Sequence, residues 1–147
     1  DTTNSRYYPA NGANTLTDGF RGTKDIGKQW HAFSGNDMVA TIDLGEVVTA
    51  SSISIGSIQN WGQWVFFPQW VKFEISVDGV NFKETNTVTN TIPVDARDLQ
   101  IKDFTTKFAS QKVKAIRVTA KNLGQCPPGH AGEKQSSWLF VDEIIVE

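Results

Sequence analysis

Two acidic residues, Asp142 and Glu143, stand inside the otherwise apolar run Leu139–Val146. Side chains alternate across a strand, so Glu143 is expected on one face with Leu139, Val141 and Ile145, and Asp142 on the other with Phe140 and Ile144. At least one carboxylate must then lie against a core, where an unpaired charge is costly. An Arg or Lys partner, backbone N–H donors or a metal ion could each compensate it, and the run alone does not choose among them. A second acidic feature, Asp18, lies in Thr15–Thr23, a segment that packs hydroxyl and carboxylate oxygens and glycines into a turn. Calcium takes ~6–8 oxygens, many from backbone carbonyls that glycine-bearing turns aim inward. The spacing is not that of an EF-hand. Taken alone, Asp18-Gly19 reads first as a plain turn.

The stretch from Gln59 to Trp70 holds three of the five tryptophans, with amides at Gln59, Asn60 and Gln63 interleaved. Such a mixture suits a neutral polar ligand: an indole face stacks on the apolar C–H face of a pyranose while amides hydrogen-bond its hydroxyls. Trp61 and Trp64, beside glycine and amides, are expected to be exposed. Phe66 and Phe67 are expected to cap the core, and Trp70 has the outward parity of Lys72 and Glu74. Ingredients for catalysis are scarce, with only His31, His130 and Cys126 as candidate nucleophiles or bases. Cys126 and His130 could form a nucleophilic pair, but no orienting acid is identifiable. A glycosidase needs two carboxylates facing each other across ~5–9.5 Å, which neighbours on opposite strand faces cannot supply.

The elements that must position these residues are strands. Met38, Ala40, Ile42 and Leu44 share one face of a strand expected to end at Gly45. Ile53 and Ile55 form another that stops at Gly56. Val71, Phe73, Ile75 and Val77 alternate with polar residues before an Asp78-Gly79 hairpin turn, and Ile116, Val118 and Ala120 repeat the pattern. The first 35 residues, and Lys121 to Ser137, read as long loops. The expectation is one all-β domain over 1–147, a sandwich or barrel. A net charge of -2 leaves no footprint for a phosphate backbone. No apolar run approaches the ~18 residues of a membrane span, and a lone cysteine forms no internal disulfide. The opening Asp1-Thr2-Thr3-Asn4-Ser5, without an initiator Met, is expected of a mature product or of a piece cut from a longer chain.

The ordered set Asp18-Gly19, Thr23 and Trp30-His31; Ile42-Asp43-Leu44-Gly45; Ile75–Phe82; Ala115–Val118; and Val141–Ile144 resembles the discoidin family (coagulation factor V/VIII type C domains). Within it the chain is similar to bacterial family 32 carbohydrate-binding modules. The stretches Trp64–Pro68 and Cys126–His130 look most like the C-terminal modules of β-hexosaminidases (chitobiases). The resemblance implies a galactose-binding-domain-like jelly-roll β-sandwich with a structural calcium ion. Asp18 and Glu143 would offer side-chain oxygens, Thr23 its hydroxyl and carbonyl, and Thr15, Phe20 and Asp142 backbone carbonyls.

The resemblance also implies sugar binding by loops at one end, with His31 in the place of the histidine of galactose binders. Gln59-Asn60 stands where that family has its Arg, a departure from galactose specificity, and the missing cysteine pair of vertebrate relatives favours the bacterial branch. The expected function is non-catalytic binding of a galactose or N-acetylhexosamine type glycan. Trp61 and Trp64 would stack, Asn60, Gln63, His31 and His130 would hydrogen-bond, and Trp138 would form a further wall. Such a module would be monomeric, extracellular, periplasmic or on the cell surface, and linked to a glycoside hydrolase such as a β-hexosaminidase. The alternatives are a protein- or membrane-adhesion module using Phe66 and Phe67 as spikes, although no Lys or Arg lies between Gln59 and Val71, and a small hydrolase.

Overall fold

Period-2 alternation condenses into six antiparallel strands in the computed structural model, which describes Tyr7, Tyr8, Ala10 and residues 12–147. They are β1 (His31–Ser34), β2 (Met38–Gln59), β3 (Trp70–Ser76), β4 (Lys83–Thr89), β5 (Gln100–Ala120) and β6 (Trp138–Val146), hydrogen-bonded in the order β1-β6-β2-β5-β3-β4. The long strands β2 and β5 take part in both layers of a sandwich. Met38–Asp43 of β2 pairs with Ala115–Ala120, and Ser52–Gln59 pairs with Gln100–Lys107. One layer therefore runs β4, β3, the end of β5 and the start of β2. The other runs β1, β6, the end of β2 and the start of β5. Between them Phe73, Ile116, Val118 and Met38 meet Ile53, Ile55, Phe104, Leu139 and Val141 in one buried cluster. This is the expected jelly-roll β-sandwich.

A second cluster of Trp30, Ala32, Ile58, Val65 and Phe140, with Tyr8, Ile26, Leu99 and Trp138 against it, covers the other face of the β1/β6 layer. Both faces of that layer are thus packed, which explains why Leu139–Val146 is almost continuously apolar.

Four boundaries differ from the alternation pattern. β2 ends neither at Gly45 nor at Gly56: it passes Gly45 (φ 81°) through a register shift between Asp43 and Val48 and continues to Gln59. β5 begins well before Ile116, and β1 lies within the first 35 residues. β4 is an edge strand of polar, mostly exposed residues, so it carries no apolar rhythm. Asp78-Gly79 does make the β3–β4 turn, the Asp78 carboxylate accepting hydrogen bonds from Ser76 Oγ and from the Val80 and Asn81 N–H groups. No helix among the described residues is long and apolar enough to cross a membrane.

Candidate functional site

Where β2 ends, the chain closes on itself. Asn60 and Val65 exchange backbone hydrogen bonds of 2.9 and 3.2 Å, and a single 3-10 turn, Trp61–Gln63, fills the gap. Trp64 ends that turn in the left-handed region at φ 63° and ψ 24°. A bulky side chain there costs about 1–2 kcal/mol, strain that persists only where the surroundings enforce it and that concentrates at functional sites. Enforcement comes from β6: the Trp138 N–H donates to the Trp64 carbonyl and the Phe66 N–H to the Trp138 carbonyl, each at 2.9 Å. Val65, Phe66 and Phe67 are buried as expected, so the two phenylalanines cannot serve as membrane spikes. Trp61, Trp64, Trp138 and Asn60 are half-buried and Gln63 is exposed.

His130 lies beneath this loop, from the segment 121–137. It is buried, with ring centroids 4.6 Å from Trp61, 5.7 Å from Trp64 and 5.5 Å from Phe66. Its Nε2 lies 2.8 Å from the Trp61 carbonyl, and its Nδ1 accepts the Gly132 N–H at 2.9 Å. That pair of bonds fixes the neutral tautomer with the proton on Nε2 and occupies both nitrogens. The expectation that His130 hydrogen-bonds a sugar is therefore corrected: it positions the tryptophans. With no free nitrogen it is also no base for Cys126, whose thiol is buried and whose pKa burial pushes up. Gly132 lies against the Trp64 ring so closely that a Cβ there would sit 2.8 Å from it. Asn122 pins the start of the same segment, donating to the Phe33 and Asn36 carbonyls and accepting from the Gly124 N–H and Ser137 Oγ.

His31 does not join this group. Its cross-strand partner is Val141, a residue of the main core, and its ring packs 5.1 Å from Phe33. Burial pushes its pKa down, and its Nδ1 is buried without a hydrogen-bond partner. Its neighbour Trp30 is also buried, in the second cluster on the other face of the layer. Two residues that sequence reasoning did not assign do join the group. The Arg97 guanidinium lies over the Trp61 ring, 3.9 Å from its centroid. Gln59 is buried, donating to the Pro93 and Ala96 carbonyls at 3.2 and 3.3 Å and accepting the Phe67 N–H at 3.2 Å. It thereby ties the β4–β5 loop to the aromatic loop. A buried amide at a strand end carries a signal, because its partners must be backbone groups brought from elsewhere. Arg97 sits in a patternless loop and carries none.

The acidic pair departs from strict alternation. The β2–β6 register slips between Ile55/Ile144 and Ser57/Val141, so Val141 and Ile144 both enter the core. Asp142 and Glu143 then reach the same loop, 18–22, and not opposite faces. Asp142 is fully buried and accepts three hydrogen bonds: Oδ2 from Arg21 Nε and the Gly22 N–H, and Oδ1 from the Gly56 N–H, each at 2.9 Å. Arg21 also pairs with Asp103. Three of the four acceptor positions of the buried Asp142 carboxylate are thus taken by internal donors, and the two carboxylates form no catalytic pair.

Glu143 is different. It accepts the Asp18 and Gly19 N–H groups, yet its Oε2 is buried without a partner. Burial, together with the charges of Asp18 and Asp142, pushes its pKa up. A cation between Glu143 and Asp18 would answer both features, so these side chains fit calcium. No three His, Cys, Asp or Glu side chains cluster among the described residues, so a cation would draw its other oxygens from the 15–23 backbone. There Thr15 is buried, Phe20 is exposed, and the Thr23 carbonyl already accepts Trp30 Nε1 at 2.8 Å, keeping one lone pair.

The sequence profile of the F5/8 type C domain matches residues 1–138. The chain belongs to that family. Among proteins of curated function, sequence comparison finds no match. Solved structures share the fold. One is a family 32 carbohydrate-binding module of AlyQ in complex with 4,5-unsaturated mannuronic acid (TM-score 0.58, 14% identity, covering 99% of this chain and 90% of that one). Another is the C-terminal domain of a chitobiase from Bacteroides fragilis (0.53, 18% identity, 92% and 78%). A third is a family 32 module from Clostridium perfringens in complex with GalNAc-β-1,3-galactose (0.51, 14% identity, 91% and 81%).

Proposed function

We propose that the chain is a non-catalytic carbohydrate-binding module and that its glycan seats on the loop end formed by Trp61, Trp64 and Trp138. The observation that carries this reading is Trp64: a half-exposed indole held in a strained backbone conformation, backed by Gly132 and by a histidine with no other free function. Asn60 and Gln63 stand beside it with amides for sugar hydroxyls. The complexes of structural relatives with 4,5-unsaturated mannuronic acid and with GalNAc-β-1,3-galactose support the reading of glycan binding, and the ligand expected from the sequence is a glycan of galactose or N-acetylhexosamine type. A shallow, half-exposed site recovers little desolvation energy, so a single module binds weakly. Its use is to tether an attached glycoside hydrolase of a secreted bacterial protein to substrate, raising local concentration. Calcium would be structural, held by Asp18 and Glu143 with the Thr15, Phe20 and Thr23 carbonyls, and its charge would relieve the buried Glu143 carboxylate.

The test is affinity electrophoresis of the whole chain through a panel of soluble glycans. Retention that falls at least tenfold in Trp64→Ala supports the assignment. Retention unaffected by that substitution places the site elsewhere.

A further inference from the structure

Trp61 is not a bare stacking surface. The Arg97 guanidinium covers its ring at 3.9 Å from the centroid, and His130 meets it edge-on at an interplanar angle of 68°. An arginine laid on an indole keeps its N–H donors free at its edge, where they match the two oxygens of a carboxylate. Arg21 and Arg117 both spend their donors on internal carboxylates, Asp142 with Asp103, and Glu74. Arg97 is exposed and makes no ion pair among the described residues, although Asp95 and Asp98 flank it in sequence. Buried Gln59 anchors the backbone that carries it, holding the carbonyls of Pro93 and Ala96 on the preceding turn. The result is an exposed cation, without an ion pair among the described residues, laid on Trp61 at the border of the aromatic loop.

We propose that the glycan carries an acidic group, a uronate carboxylate or a sulfate ester, and that Arg97 seats it while Trp64 stacks on the sugar ring. This rests on the glycan-binding reading above and narrows it from neutral to acidic polymers. The planar fork of Arg97 favours the carboxylate.

The experiment is affinity electrophoresis of the whole chain at low salt through four polymers: polygalacturonate, the same polymer fully methyl-esterified, a neutral galactan and a sulfated galactan. The expected result is retention by an acidic polymer at least tenfold stronger than by the esterified or neutral ones, weakening as salt is added. Arg97→Gln should abolish that preference at an unchanged melting temperature, and Arg97→Lys should keep part of it. Retention by sulfated galactan alone would identify the anion as sulfate; retention by polygalacturonate would identify it as carboxylate. Equal retention by the acidic and esterified polymers, or a preference that survives Arg97→Gln, overturns the proposal and leaves the glycan-binding reading standing. Absence of retention by these four and by every neutral glycan tried overturns both.

Discussion

At the scale of single residues, two positions decide the chemistry. Gly132 gives the Trp64 ring its bed, and a Cβ there would meet ring carbons at 2.8 Å. Gly132→Ala should therefore tilt Trp64 off its seat and weaken glycan retention severalfold. The ring is half-exposed and can yield outward, so the melting temperature should fall by only a few degrees. Paired melting and affinity measurements check this, and wild-type retention would separate Trp64 from the ligand. Glu143 supplies the second prediction. Its raised pKa means the metal-free fold carries the full penalty of the charged carboxylate at pH above that raised value. That penalty shrinks as pH falls through the raised value and is gone below the unfolded one. Glu143→Gln should thus raise the metal-free melting temperature at pH 7, and its advantage over wild type should narrow on acidification. Added calcium should stabilise wild type and not the variant. A variant that melts like wild type at every pH, or shares its calcium response, contradicts the assignment.

At the scale of elements, the slip between β2 and β6 is what makes the 18–22 loop possible. Gly56 lies at the slip, and a Cβ there would fall inside contact distance of Asp142 Oδ1 and Arg21. Gly56→Ala should cost about 3 kcal/mol or more, because it overpacks the site and disturbs a buried, hydrogen-bonded charge. Chemical denaturation measures it, and a loss below about 1 kcal/mol would mean the layer is looser than described. The same slip marks where sequence reasoning reached its limit. Alternation identified β3 and the end of β5, where apolar residues recur in a period of two, and the continuous apolar run identified β6, which is packed on both faces. It could not foresee that Asp142 and Glu143 would reach one loop, because a bulge inverts parity and depends on the partner strand's register. Nor could it find β4, a polar edge strand, or β1, whose four residues are too few to show a period. Phe66 and Phe67 were legible as core because they follow a turn and precede Pro68. His31 and His130 were not, because a histidine's role depends on what faces its nitrogens.

At the scale of the whole molecule, the sandwich is a rigid frame that brings three separate segments to one end: the turn after β2, the β4–β5 loop and the 121–137 segment. Gln59, His130 and Asn122 are the buried polar residues that fasten them. Loops carried on such a frame suit the glycan retention proposed above. The measurement that most directly tests this account is the retention of wild type and Trp64→Ala on the same glycan gels, read beside their melting temperatures. The account predicts that wild type is held by at least one glycan, that the variant loses at least tenfold of that affinity, and that its fold melts within a few degrees of wild type. A variant that is held as well as wild type, or one that loses its fold along with its binding, would contradict it.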